Sequence, residues 1–322
     1  MVHFIFVRHG ESKDNLRQVW AGWKDSPLSN HAEFLPMKQA EALAEHFAQN
    51  KVSLDAIYTS DLLRAKTTAQ AVLARQGECN AVPFRELPLL REQNFGAGEG
   101  MKFSKMEKNL SIAAHFAKGK FPALYTREAK FPGGESLDEL AERAEVVISD
   151  IITPEVLKEH ESNRQRTVAI FSHGIFIAEL VAAILNKDSQ NRSGITNREL
   201  RGMHNTGCTS LNVTLKVFVF FCMGFSSLKR SPVHKVSHHQ AQGQPATTSV
   251  KSRNVTFCVQ TKGIDRHVHL SNLHRQKGGI GSLAHDPAQQ DIRAFLGSQQ
   301  RSTKPVSGIS KGTELPTRFK PY

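Results

Sequence analysis

Two short apolar runs do most to limit what this chain can fold into. Residues 2–7 (VHFIFV) and 167–171 (TVAIF) each stop at a turn carrying histidine and glycine. The first turn is Arg8-His9-Gly10-Glu11-Ser12, and the second is Ser172-His173-Gly174. Short runs of β-branched and aromatic residues bounded by a glycine turn read as buried strands. In an open α/β sheet, side chains just past the carboxyl ends of the strands face the crevice where ligands bind. The pattern therefore predicts that Arg8, His9 and His173 reach one edge of one sheet, although they lie far apart in the chain.

The sequence between these runs alternates strand and helix signals. Ala40, Leu43, Ala44 and Phe47 fall at helix spacing, 54–58 reads as a strand, and Thr59-Ser60-Asp61 offers caps for a helix beginning at Leu62. That helix places Arg64 in its first turn, near the strand end and the positive end of the helix dipole. Ser136 and Glu139 form a capping box, followed by an apolar stripe of Leu137, Leu140, Ala144, Val147, Ile148 and Ile151. A helix over 175–185, a turn at Asn205-Thr206-Gly207 and an alternating strand from Leu211 to Val217 complete the pattern. The expected fold is α/β: a three-layer sandwich with a mainly parallel sheet flanked by helices, and a basic, largely disordered C-terminal extension.

Charge divides the chain in the same place. The net charge of +12 suggests nucleic acid until it is apportioned: residues 1–215 carry 26 Lys+Arg and 26 Asp+Glu, and 216–322 carry 16 and 4. We therefore expect one domain over 1–215. Segment 216–254 reads as a disordered insertion, such as a translated intron would give. Segment 255–322 reads as a returning strand near 255–259 and then a basic tail. The tail is compatible with nucleic acid or an acidic partner, but it contains few aromatics and no recognition motif, so a solvated tail is the plainer reading. Gln289–Leu296 loosely follows a clamp-docking peptide pattern, and an amphipathic helix packing back is again plainer.

Cys79, Cys208, Cys222 and Cys258 show no ligand spacing, so neither a metal nor a disulfide framework is expected. Residues 217–225 are too short an apolar run to span a bilayer, and Met1 leads straight into a strand, so neither membrane nor signal peptide is expected. A cytoplasmic location follows, with a nuclear one left open. The oligomeric state is not legible.

The chemistry these residues can do is phosphoryl transfer. It needs a nucleophile with a free nitrogen lone pair, cations around the transferring oxygens and an acid for the leaving oxygen. His9 can be the nucleophile, and Arg8 and Arg64 the cations. Glu92, in LLREQNFGAGEG, can be the acid, and His173, if protonated, a further positive donor. Each has a plainer counterpart. Arg64 also reads as a solvated helix residue, and Glu86, Glu99 and Glu11 compete with Glu92. Trp20 and Trp23 suit packing as well as a substrate mouth.

RHGES, YTSDLLRAKTTA, LREQNFG, PGGES, SHG and NTG, in this order from Phe4 to about Val213, resemble the histidine phosphatase superfamily, also called phosphoglycerate mutase-like. The resemblance implies that His9 is phosphorylated, that Arg8, Arg64 and His173 complete the phosphate pocket, that Glu92 donates the proton, and that Asn15 and Asn205 lie near phosphate or substrate. It implies no cofactor. FSHGIFIAEL and a short 100–132 segment resemble the fructose-2,6-bisphosphatase-like phosphatases more than the mutases, which implies a small phosphate ester such as a sugar phosphate. The alternatives are mutase-type transfer and a non-catalytic protein that binds phospho-ligands or partners. One departure is the glycine-free LSNHAEFLPMKQA at 28–40, whose extra residues, including Pro36, are expected to loop out near the site mouth.

Overall fold

The structure, a computed structural model, describes residues 1–25, 35–77, 82–162, 164–188, 190, 194–216, 256–271 and 273. It opens with β1 (Val2–Arg8), the short α1 (Lys13–Arg17), α2 (Leu35–Gln49), β2 (Ala56–Thr59), α3 (Leu63–Leu73) and β3 (Phe84–Glu86). A small parallel pair, β4 (Phe103–Ser104) and β5 (Phe121–Pro122), flanks α4 (Ile112–Ala117). Next come α5 (Leu137–Val147), α6 (Thr153–Ser162), β6 (Arg166–Ser172), α7 (Gly174–Asn186), α8 (Asn197–Leu200), β7 (Cys208–Leu215) and β8 (Phe257–Arg266).

Six strands form one sheet in the order β3-β2-β6-β1-β7-β8. The first four are parallel, β7 runs antiparallel to β1, and β8 antiparallel to β7. Helices cover both faces, as expected. Within β1, Phe4 and Phe6 point to the side of α5, α6 and α7, while Ile5 and Val7 point to α2 and α3. Val168 and Ile170 of β6 divide from Ala169 and Phe171 in the same way. A sheet buried on both faces explains why these runs are continuously apolar rather than alternating. Each large side chain so buried contributes about 1.5–3 kcal/mol.

Three local details depart from the sequence pattern. Helix α3 has Leu62 as its N-cap without a side-chain cap. Of the expected caps, Ser60 Oγ accepts the Leu62 N–H at 3.3 Å, while Asp25 Oδ1 accepts the Leu63 N–H at 2.9 Å and Asp61 pairs with Arg91 at 2.7 Å. The apolar stripe after the Ser136–Glu139 capping box continues through a π-helical turn, Ile148–Ile152, into α6. Pro154, which has no N–H to donate, stands beside that turn. Pro36 lies in the first turn of α2 rather than in a loop, where a missing N–H costs nothing. The rest of the expected loop, 26–34, is outside the described residues.

The returning strand runs Phe257–Arg266, longer than the run at 255–259 implied. The 216–254 insertion apart from Lys216, the apolar run at 217–225, the tail beyond 273 and the peptide pattern at 289–296 lie outside the described residues. Among the described residues, no helix is long and apolar enough to cross a membrane.

Candidate active site

The parallel register pairs Arg8 with Ser172, the last residues of β1 and β6, so the residues that follow, His9 and His173, emerge side by side. Their rings lie 5.1 Å apart between centroids. The neighbouring β2 ends at Thr59, and Ser60 N–H then bonds the Phe171 carbonyl at 2.9 Å. Ser60 thus joins the same carboxyl edge.

His9 is buried, 4% exposed, and its Nδ1 lies 2.6 Å from the Gly10 carbonyl. A carbonyl only accepts, so Nδ1 carries the proton and Nε2 keeps its lone pair. Burial, followed by the charges of Arg64 and Arg8, holds the His9 pKa well below 6.5 despite the Gly10 bond. The turn itself is fixed by Thr68, whose hydroxyl accepts the Gly10 N–H at 3.0 Å and donates to the Arg64 carbonyl at 2.7 Å.

Arg64 is 1% exposed, not solvated. Its guanidinium donates to the carbonyls of Gly22 (2.7 Å) and Lys24 (3.1 Å), and through Nε to His173 Nδ1 (3.2 Å). An arginine N–H can only donate, so His173 Nδ1 accepts, and its proton sits on Nε2, 3.0 Å from Ser60 Oγ. Burial, then Arg64, His9 and Arg8, push the His173 pKa well below 6.5. This lowered pKa and these two contacts favour the neutral imidazole for His173. Arg8 anchors its guanidinium on the Met203 carbonyl.

Glu92 approaches from the segment after β3. Its Oε1 accepts the N–H groups of Gln93 and Phe176, each at 3.0 Å, and Oε2 accepts Ile175 N–H at 3.3 Å. It thereby meets the first turn of α7, where His173 is the N-cap but provides no side-chain cap. Its competitors are engaged elsewhere: Glu99 receives the N–H groups of Trp23 and Phe95, and Glu86 pairs with Lys66. Arg143 of α5 bonds the carbonyls of Leu89, Arg91 and Glu92 at 2.7–2.9 Å, and Trp23 Nε1 donates to the Glu92 carbonyl at 2.7 Å. Trp20 is a packing residue, its ring tilted against Phe95 and edge-to-face with Phe103 and Phe131.

Asn15 closes a capping box at α1, with Oδ1 accepting from the Ser12 backbone and hydroxyl at 2.9 Å. Asn205 Nδ2 donates to the His9 carbonyl at 3.1 Å and to Asn15 Oδ1 at 3.4 Å, so both asparagines border the His9 turn. Thr206 closes this turn at φ +56°, a left-handed conformation that costs a β-branched residue roughly 1–2 kcal/mol. Its N–H bonds the Arg8 carbonyl at 3.0 Å.

The structure thus gathers Arg8, His9, Arg64, Glu92, His173, Asn15 and Asn205 around one edge. Ser60, Thr68 and Arg143 support them and were not singled out from sequence. Thr68 had a legible signal, one turn after Arg64 on the helix face toward the RHG turn. Arg143 had none.

A family model for the histidine phosphatase superfamily (branch 1) matches residues 4–220. A 2,3-bisphosphoglycerate-dependent phosphoglycerate mutase of Brucella ovis is 29% identical over 183 residues, covering 56% of this chain and 80% of its own. A solved mycobacterial glucosyl-3-phosphoglycerate phosphatase with VO3 is 27% identical, covers 66% of this chain and 92% of its own, and has a TM-score of 0.48. A second solved structure, mycobacterial hydrolase 2, shares the fold at 19% identity, 94% and 98% coverage and a TM-score of 0.53. With the family model matching residues 4–220, the chain belongs to the histidine phosphatase superfamily, branch 1.

Proposed function

We propose that the chain is a metal-independent phosphomonoesterase acting on a small phosphorylated metabolite through a phosphohistidine at His9. The observation that carries this reading is the state of His9: a buried neutral ring, Nδ1–H fixed by Gly10, set beside Arg8, Arg64 and His173. Nε2 attacks phosphorus in line and the P–O ester bond breaks. The departing oxygen takes a proton from the Glu92 carboxyl. Oε2, which accepts one long bond among the described residues, is the oxygen suited to carry it. Water then attacks the phosphohistidine, gives its proton to Glu92, and the P–N bond breaks to release phosphate. Arg8 and Arg64 balance charge on the transferring oxygens. A dianion arriving beside His173 reverses the electrostatics that keep that ring neutral, and the imidazolium then becomes a further donor.

The Brucella relative's name favours a second reading, mutase-type transfer, in which the phosphohistidine passes its phosphoryl group to a second hydroxyl. The short 100–132 segment and FSHGIFIAEL support hydrolysis instead. The experiment is hydrolysis of p-nitrophenyl phosphate in EDTA by wild type and His9→Ala. Turnover that survives EDTA, is lost in the variant and passes through an acid-labile phosphoenzyme is expected. Equal activity in both proteins contradicts the proposal. Interconversion of monophosphoglycerates faster than their hydrolysis selects the mutase reading.

A further inference from the structure

Beyond the phosphoryl site, β8 delivers Asp265 and His267 against the turn that carries Asn205. His204 Nδ1 lies 2.6 Å from Asp265 Oδ2, and His267 Nδ1 lies 3.8 Å from the same oxygen. One donor atom from each of the three residues lies within 4.8 Å of the other two. The imidazoles of His204 and His267 face each other with centroids 3.6 Å apart.

The surroundings hold the carboxylate in place. The His204 N–H donates to Asp265 Oδ1 at 2.7 Å, and the Asp265 N–H donates to Thr209 Oγ1 at 3.1 Å. Asp265, at φ +44°, is left-handed like Thr206. Gly207 makes the approach feasible: a Cβ there would lie 2.2 Å from Asp265 Oδ1 and 2.9 Å from the His204 carbonyl. Side-chain exposures of 36% for His204, 21% for Asp265 and 43% for His267 leave the cluster open to entry from solvent.

We propose that His204, Asp265 and His267 bind one divalent transition-metal ion of the zinc class, which staples the returning strand to the Asn205 turn. Two imidazoles and a carboxylate are a donor set suited to zinc, whereas calcium and magnesium take oxygen ligands. Zinc bond lengths near 2.0–2.2 Å place tetrahedral ligand atoms roughly 3.4 Å apart, between the shortest and longest separations here. Both Nδ1 atoms face oxygens here, the Asp265 carboxylate for His204 and the Asp265 backbone carbonyl at 2.6 Å for His267. Binding therefore shifts each ring's proton through solvent to Nε2 and frees Nδ1 for the ion. Small side-chain rotations then close the site, with water filling the fourth position. The Asn205 amide and Thr206 N–H reach the His9 and Arg8 carbonyls, so an ion on this turn acts on the backbone of the nucleophile.

The test is calorimetric titration of the chelator-stripped full chain with Zn²⁺ alone. A site whose affinity falls at least tenfold in both His204→Gln and His267→Gln, and is unchanged in His160→Gln at the exposed end of α6, is expected. The chain has 15 histidines, so undiminished binding in both ligand variants puts the ion elsewhere and overturns the proposal, as does absence of binding to wild type. Should the variants fail to fold, hydrogen exchange on wild type decides. Zn²⁺ is expected to slow exchange at 203–209 and 263–267, and unchanged exchange there overturns the proposal.

Discussion

Two buried histidines beside a buried arginine make the site a pH-dependent weakness. His9 and His173 have pKa values below 6.5 when folded and near 6.5 when unfolded. Their contribution is complete above pH 6.5 and is lost as pH falls, because the unfolded chain then binds protons that the folded chain refuses. His269, held down to about 4 chiefly by burial, adds a third such group. Stability is expected to fall between pH 6.5 and 5 by up to about 1.4 kcal/mol per pH unit for each histidine, read from melting temperatures. A flat profile over that range contradicts the neutral assignment. Arg64 is the other residue-scale test. Lysine keeps the charge but cannot reach Gly22, Lys24 and His173 in one fork, so Arg64→Lys is expected to lower kcat by about 10²–10³. Retention of wild-type kcat would show that the fork is dispensable. The convergence of Arg8, His9, Arg64 and His173 was legible because strand ends and a first helical turn are set by short-range pattern. The lowered pKa of His173 was not, since it comes from burial and from the charges of Arg64, His9 and Arg8, gathered from different elements.

Helix α5 shows what an element-scale reading misses. Its apolar stripe and capping box were plain in the sequence, and its polar face carried no signal. Yet Arg143 on that face is largely buried, pairs with Glu135 at 2.8 Å, and collects the carbonyls that carry Glu92 toward α7. Its guanidinium also lies 4.6 Å from the centroid of the Phe176 ring. Arg143→Met keeps the stem and loses every one of these bonds, leaving Glu135 and three carbonyls short of a donor. We expect kcat to fall about tenfold or more while KM changes less, with partial recovery in Arg143→Lys; loss of stability without a kcat effect would make the residue purely structural. The same limit explains the cap of α3. Asp61 stood at a plausible capping position, but Arg91 from a distant loop offers it a charge-assisted pair, and Asp25 takes over the helix N-terminus. Local propensity proposes such caps, and tertiary charge pairing decides among them.

For the molecule as a whole, the division of charge at residue 215 obscured how the sheet ends. Strand β8 belongs to the basic part of the chain, yet Phe257 at its start is fully buried in the core with Val213 and Leu211. Asp188, at the end of α7, ties the corner: its carboxylate accepts the Val259 N–H at 2.9 Å and pairs with Lys216 at 3.3 Å. Only a short apolar run near 255–259 hinted at this strand, because the rest of β8 alternates exposed polar residues, as an edge strand does. The consequence is that 1–215 lacks a strand of its own sheet. Phe257→Ala is expected to cost about 3–5 kcal/mol through lost burial and the cavity left behind. At roughly 2–4 °C per kcal/mol for a domain of this size, that is a large drop in melting temperature. A chain ending at residue 215 leaves the β7 edge unpaired and is expected to elute as aggregate from a sizing column. If 1–215 instead stays monomeric and melts with the full chain, β8 lies outside the cooperative unit, and a staple holding it to the Asn205 turn would have no stability to lend.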